Sequence, residues 1–217
     1  MSPAERAALL KMFEGVSSEI TKSDAPSTCR VCPPTSDGSI PNGTLVLVDP
    51  VMGDHGKVYR TYTPEMCRLM GELAAQADLI TPNATEAAIL LEEDYANVPT
   101  TQVGMESWLA RLSLDGRRSV VITGVSFAPG TVGAACLDCR TGKIRFAVAR
   151  QEKGQFSGTG DLFASVVLGS ILRGEQLPIA TNRAVEFVQS CASSTLAAET
   201  PLIEGVQFEP KLKELLR

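Results

Sequence analysis

The chain contains 217 residues, of which 44% are hydrophobic and 21% are charged, and this composition is typical of one globular domain with a sizeable core. Its net charge of −5 argues against nucleic-acid and anionic-membrane partners, because both favour a basic surface. The sequence shows no apolar run of the length that a membrane helix needs and no signal-peptide pattern, so we expect a cytoplasmic protein.

The N-terminal part of the chain predicts a helix followed by a loop. Residues 3–20 place apolar side chains at helical spacing, and Pro3 suits the first helical position. Residues 21–43 are rich in Ser, Thr, Pro and Gly without periodicity, which predicts a long surface loop.

The remaining chain alternates short apolar runs with amphipathic stretches. Runs at 45–49, 78–81 and 119–123 predict buried strands, and 131–137 with 143–149 predicts a β-hairpin. Helices are predicted at residues 63–76, 83–91, 105–112, 178–198 and 210–217, and from the GTGD segment to Gly174. Strands that alternate with helices predict an α/β layered fold with a mostly parallel sheet flanked by helices.

Polar residues and glycines stand where these elements meet. They form DPVMGD at 49–54, TPNATE at 81–86, the pair Thr123 and Gly124, and GTGD at 158–161. Parallel sheets bind ligands beyond the carboxyl ends of their strands. We therefore expect the four segments to face one cleft, with Asp49 and Asp161 on the same side of the sheet.

The GTGD segment opens a predicted helix. The backbone N–H groups of Gly158, Thr159 and Gly160 could hold an anion, because glycines allow close approach and the helix dipole attracts negative charge. Asp161 could then accept the proton of an attacking hydroxyl while these amides hold a phosphoryl group. The structural alternative is that Thr159 is an N-cap and Asp161 a favourable partner of the dipole.

The other carboxylates have similar alternatives. Asn83 with Glu86 fits a capping box, and Glu86 could instead hold a water bound to Mg²⁺. Asp49 and Asp54 could form local turns, yet three carboxylates and a glycine segment at one sheet edge favour a Mg²⁺-nucleotide site. The sequence has no P-loop motif.

The cysteines include two CxxC pairs, Cys29 with Cys32 and Cys136 with Cys139, which could bind zinc and support an interaction module. The pairs are too far apart for a zinc ribbon, and the second lies in the predicted hairpin. We favour reduced structural thiols and keep a metal site as the alternative.

The segments DPVMGD, TPNATE and GTGD, in this order and spacing, resemble the motifs of ribokinase-like small-molecule kinases over about residues 44–200. Within that superfamily they are most similar to the vitamin B6 kinases, which act on pyridoxal, pyridoxine and pyridoxamine. The resemblance implies that Asp161 is the catalytic base and that the amides of Gly158, Thr159 and Gly160 form the anion hole. It also implies ATP and Mg²⁺ as cofactors, with Asp54 and Glu86 serving the metal. The nucleotide-binding residues that it implies are Asp49, Asp54, Tyr59, Thr81, Asn83, Glu86 and Thr123.

The resemblance therefore implies ATP-dependent phosphorylation of the 5′-hydroxymethyl group of a B6 vitamer, in a homodimer. A hydroxymethylpyrimidine-type kinase and a non-catalytic nucleotide-binding remnant are the alternatives. Members of the family begin with βα units that carry most contacts to the vitamin ring, and this chain begins downstream of them. We expect residues 1–217 to form a single truncated ribokinase-like domain in which 21–43 is a loop insertion.

Overall fold

The computed structural model describes residues 44–154, 156–198, 201 and 204–216. The predicted helix at 3–20, the predicted loop insertion at 21–43, and both Cys29 and Cys32 lie outside these residues. The single-domain interpretation of 1–217 stays a prediction for the same reason. Among the described residues, no helix has both the length and the apolar character that crossing a membrane requires.

In chain order the strands of the described residues are β1 (Leu47–Val48), β2 (Gly53–Asp54), β3 (Lys57–Val58), β4 (Leu79–Ile80), β5 (Ser119–Val125), β6 (Thr131–Asp138) and β7 (Lys143–Arg150). Five of them form the central sheet, in the order β1-β4-β5-β6-β7. β1, β4 and β5 pair in parallel, whereas β6 is antiparallel to both of its neighbours. Four of the five strands therefore run in one direction, as the sequence predicted. β2 and β3 form a separate small hairpin.

Five α-helices cover the two faces of this sheet among the described residues. In chain order they are α1 (Pro64–Ala74), α2 (Ala84–Leu90), α3 (Gln102–Leu112), α4 (Thr159–Leu172) and α5 (Leu177–Ala197). Successive side chains of a strand point to opposite faces. Accordingly, Val120 and Ile122 belong to the core beneath α1, α2 and α3, and Val121 belongs to the core beneath α4 and α5. This three-layer arrangement confirms the predicted α/β layered fold.

Capping side chains explain where several helices begin. The Thr63 hydroxyl accepts a hydrogen bond from the Met66 amide, and Pro64 occupies the first turn of α1. The short terminal helix predicted at 210–217 is present among the described residues as a 3₁₀ helix, Glu209–Leu216.

The buried side chain of Arg118 contacts the C-terminal ends of α1 and α3. Arg118 is 5% exposed, and its guanidinium donates hydrogen bonds to the Leu112 carbonyl at 2.7 Å and to the Ala74 carbonyl. Burial lowers the pKa of Arg118 to about 10, and the charge of Arg117 adds to this shift. The Leu112 carbonyl at the end of α3 thus gains a charged donor, and the Ala74 carbonyl at the end of α1 gains one beside the Ala77 amide, which donates to it at 3.2 Å.

Candidate active site

One cleft of about 890 Å³ lies at the carboxyl ends of the parallel strands. All eleven residues that the sequence singled out line it: Asp49, Asp54, Tyr59, Thr81, Asn83, Glu86, Thr123, Gly158, Thr159, Gly160 and Asp161. The structure therefore brings the four polar segments together, and Asp49 and Asp161 lie on the same side of the sheet. Their chemical roles stay predictions.

The parallel pairing of β1, β4 and β5 explains why the first of these segments meet. The Thr81 hydroxyl donates a hydrogen bond of 2.8 Å to Asp49 Oδ1, which joins the residues that follow β1 and β4. The Thr123 amide donates to the Pro82 carbonyl at 2.9 Å, so the end of β5 is held against the same loop. β5 shifts its register with β6 between Thr123 and Val125, where the sheet reaches the cleft.

Asp49 carries a perturbed carboxyl group. Burial raises the pKa of Asp49, the hydrogen bond from Thr81 opposes the rise, and the charge of Asp161 adds to it. The two carboxylates line the same cleft. A cation bound between them, or a proton taken up by one of them, would reduce their repulsion.

The TPNATE segment forms the capping box that the sequence suggested. The Asn83 side chain accepts hydrogen bonds from the Thr85 and Glu86 amides, and Glu86 Oε2 accepts one from the Asn83 amide at 2.8 Å. The same side chains also reach the loop after β1. Asn83 Nδ2 donates to the Gly53 carbonyl at 2.8 Å, and the Met52 amide donates to Glu86 Oε1 at 3.1 Å.

Glu86 is 3% exposed although it lines the cleft. Burial raises the pKa of Glu86 to about 7, while backbone hydrogen bonds from Asn83, Met52 and Gly53 oppose the shift and the charge of Asp49 adds to it. Since both carboxylate oxygens already accept backbone hydrogens, Glu86 suits a contact with a metal-bound water better than direct coordination.

The β2–β3 hairpin carries Asp54 over the cleft. His55 and Gly56, at φ +49° and +74°, form its two-residue turn, and positive φ at both positions is the requirement of a type I′ turn. Asp54 Oδ1 accepts the His55 amide at 2.8 Å, and Asp54 Oδ2 lies 3.4 Å from His55 Nε2. The Asp54 carboxylate thus makes a local turn contact and remains half-exposed. Sequence reasoning missed this hairpin, for which the His55-Gly56 pair was the available signal.

Tyr59 follows the hairpin, and its amide donates to the Met52 carbonyl at 2.9 Å. Its side chain is 44% exposed. Burial of its phenol raises the pKa of Tyr59, and four cleft carboxylates add to the shift. These carboxylates are Asp54, Glu86, Asp161 and Asp49.

The GTGD segment begins α4 without a side-chain cap. Gly158 is the N-cap residue in the left-handed region, at φ +82°, and no side chain of the described residues caps the N–H groups of the first turn. The alternative in which Thr159 is the N-cap is therefore wrong, because the Thr159 hydroxyl donates to the Phe156 carbonyl at 3.3 Å. The first N–H groups of α4 remain available to an anion, and Asp161 lies in the same turn.

The far wall of the cleft was not predicted from the sequence. Lys57 and Arg150 line it as cations, and β7 and α5 bring Glu152 and Gln189 there. Ser193 bridges the last two, since it donates to Glu152 at 2.7 Å and accepts from Gln189 at 2.9 Å. These residues belong to no motif: Lys57 is brought by β3, whereas Glu152 and Gln189 are brought by the packing of α5 against the hairpin of β6 and β7.

The second CxxC pair is divided between two environments. Cys136 is fully buried in the core beneath α4 and α5, whereas Cys139 exchanges hydrogen bonds with the Ser119 hydroxyl. Within the described part of the chain, no three His, Cys, Asp or Glu side chains converge to hold a metal, and the four cysteines are free. The zinc alternative therefore gains no support from this pair.

The comparison with protein families finds one match that covers most of the chain. Residues 39–203 match the family described as phosphomethylpyrimidine kinase, which covers most of the chain. The chain belongs to that family. The ribokinase-like resemblance seen in the motifs is thereby confirmed.

Relatives of this family member include B6 kinases. A pyridoxine/pyridoxal/pyridoxamine kinase of Bordetella avium is 29% identical over 172 residues, which cover 73% of this chain and 53% of that protein. The crystal structure of pyridoxal kinase from Lactobacillus plantarum is 32% identical, with a TM-score of 0.72, and the match covers 83% of this chain and 63% of that one.

A pyridoxal kinase from Leishmania donovani in complex with ADP and pyridoxine is 25% identical, with a TM-score of 0.59. That match covers 71% of this chain and 50% of the other. The chain spans about half the length, or less, of the curated relatives that it matches.

The oxygen donors of the cleft fit Mg²⁺. This ion usually takes one or two carboxylates and completes its shell with water and substrate phosphates. The half-exposed carboxylate of Asp54 suits direct coordination, and Glu86 suits a metal-bound water.

Proposed function

We propose that this family member is an ATP-dependent kinase that phosphorylates the 5′-hydroxymethyl group of a B6 vitamer. The observation that carries the proposal is the position of Asp161 in the uncapped first turn of α4, in the same cleft as Asp49, Asp54 and Glu86. An anion hole beside a carboxylate suits transfer of a phosphoryl group to a hydroxyl. The relatives named for pyridoxal, pyridoxine and pyridoxamine supply the substrate class.

In the proposed reaction, the vitamer hydroxyl oxygen attacks the γ-phosphorus of ATP. The bond from that phosphorus to the ADP oxygen breaks, ADP leaves, and the hydroxyl proton passes to the Asp161 carboxylate. The amides of Gly158, Thr159 and Gly160 hold the oxygens of the transferred group, whose negative charge they stabilise.

The proposal also assigns the nucleotide side of the cleft. Bound Mg²⁺ supplies positive charge that neutralises the phosphates. Asp54 would hold that ion, and Glu86 would accept a hydrogen bond from one of its waters. Asp49 is fixed by the Thr81 hydroxyl close to Asp161, where it can orient the ion or the phosphates. We place Tyr59, Asn83 and Thr123 beside the nucleotide because they line the same cleft.

A hydroxymethylpyrimidine acceptor is the second candidate, since the matching family is described as phosphomethylpyrimidine kinase. Both acceptors present a primary alcohol on a heteroaromatic ring, so the chemistry at Asp161 is the same for either. We further propose a homodimer in the cytoplasm, where the cell provides ATP and where the four free cysteines of the described residues stay reduced.

The deciding experiment measures ADP release by the purified 217-residue chain with ATP, Mg²⁺ and either pyridoxal or hydroxymethylpyrimidine. We expect release that depends on the acceptor, is fastest with pyridoxal, and falls by about 10²- to 10⁴-fold in Asp161→Asn. Asp115→Asn, at an exposed turn outside the cleft, is the matched control and should retain the parental rate. Nucleotide binding without turnover with any acceptor would instead support a non-catalytic remnant. Sedimentation measures the oligomeric state.

A further inference from the structure

The hairpin that carries Asp54 is held at two places by the start of α2. At its base, Asn83 and Glu86 bond to the backbone of Gly53 and Met52. At its tip, the Gly56 amide donates a hydrogen bond of 2.9 Å to the Thr85 hydroxyl. The tip contact joins residues 29 positions apart, and neither the motifs nor the proposed chemistry explains it.

The hydrogen bond between Gly56 and Thr85 lies in a confined environment. Thr85 is 4% exposed, so water does not compete freely for its hydroxyl. Gly56 has φ +74°, and a Cβ there would lie 2.6 Å from an atom of the Tyr95 ring. The turn is therefore confined between the Thr85 hydroxyl on one side and an aromatic ring on another.

We propose that Thr85 is a positioning residue for Asp54, and this inference rests on the proposed function. Its hydroxyl fixes the Gly56 amide, which fixes the type I′ turn and so the direction in which the adjacent Asp54 carboxylate points. A two-stranded ribbon of this length is marginal in water, so the tip contact adds to the order that the base contacts give the turn. Thr85 thus acts through Asp54 and contacts neither nucleotide nor acceptor.

The test compares Thr85→Val, which keeps the shape and removes the acceptor, with Thr85→Ser, which keeps the hydroxyl. Titration calorimetry with Mg²⁺ and ATP should show about three- to ten-fold weaker binding in Thr85→Val and near-parental binding in Thr85→Ser. Hydrogen exchange of the 53–58 amides should rise in Thr85→Val alone. Thr101→Val is the matched control. The Thr101 hydroxyl also accepts a hydrogen bond from a glycine amide, that of Gly104, at a distance of 3.2 Å, and this contact lies outside the cleft. It should leave the nucleotide affinity unchanged.

A double mutant shows whether Thr85 acts through Asp54. If it does, Thr85→Val adds no further loss of Mg²⁺-ATP affinity in an Asp54→Asn background. Additive losses, or unchanged affinity and unchanged exchange in Thr85→Val, would overturn the inference. If the parent chain binds no nucleotide, the proposed function is refuted instead. In that case, unchanged exchange of the 53–58 amides in Thr85→Val would separately refute the role of the hydrogen bond from the Gly56 amide to the Thr85 hydroxyl.

Discussion

The variant Glu86→Gln tests whether a buried carboxylate reduces the stability of this chain at neutral pH. Burial raises the pKa of Glu86 to about 7, and the side chain is 3% exposed. Glutamine keeps the size and one carbonyl acceptor but has no charge. Its amide group would also face one of the two backbone donors, Met52 or Asn83, that the carboxylate oxygens now accept.

Two effects of opposite sign follow. The unpaired backbone donor destabilises the variant by about 1 to 3 kcal/mol at every pH. The charge acts only on the parent chain and only when it is ionised. Because the pKa in the folded state lies above the ordinary value of 4.5, the folded state holds the proton more tightly, and stability falls as pH rises from 4.5 to 7.

At about 1.4 kcal/mol for each pKa unit, the cost of the charge to the parent chain is about 3 kcal/mol at pH 8 and below about 1 kcal/mol at pH 5. Lowering the pH from 8 to 5 should therefore raise the free energy of unfolding of the parent by about 2 to 3 kcal/mol relative to Glu86→Gln. The variant should be less stable than the parent at pH 5 and close to it, or more stable, at pH 8.

Urea unfolding of both proteins at the two pH values measures this difference, and the other titrating groups cancel in the comparison. Parallel pH profiles would refute the reasoning. They would mean that the hydrogen bonds from the backbone outweigh burial and hold the pKa of Glu86 near its ordinary value.

Three further results are expected. Asp161→Asn should lower turnover by about 10²- to 10⁴-fold in a coupled ADP assay with little change in calorimetric ATP affinity, since asparagine cannot accept the proton; near-parental turnover would make Asp161 a helix-terminal charge only. Arg118→Met should reduce the free energy of unfolding in urea by about 1 to 3 kcal/mol, because the Leu112 carbonyl loses the Arg118 donor while the Ala74 carbonyl keeps the Ala77 amide; an unchanged midpoint would show that water replaces the guanidinium. Gly56→Ala should destabilise the chain more than Gly116→Ala, because both glycines have positive φ but only Gly56 faces the Tyr95 ring. Gly56→Ala should also weaken Mg²⁺-ATP binding in calorimetry, and equal stability losses in the two variants would contradict the packing argument.

The local features of this protein could be predicted from its sequence. Apolar β-branched runs predicted the parallel strands, and the Thr63-Pro64 and Asn83-Glu86 pairs predicted two helix starts, because these interactions join residues within one turn. The edge rule for parallel sheets was also enough to place the polar segments in one cleft. The Thr159 cap was wrong, since the N-cap position depends on backbone geometry that several sequences share. The sequence predicted the terminal helix but not its 3₁₀ form.

The contacts that build the site join residues far apart in the chain and were decided by the tertiary structure. Thr81 bonds to Asp49 across 32 positions, and Met52 bonds to Glu86 across 34. Glu86, which caps α2, therefore also anchors the loop after β1. Its structural role in the capping box is compatible with the proposed role beside a bound metal. No motif predicts Glu152 and Gln189 beside the cleft, because their position depends on how α5 packs against the sheet. Sequence patterns report periodicity and local hydrogen bonding, whereas burial, pKa and long-range contacts exist only once the layers have packed.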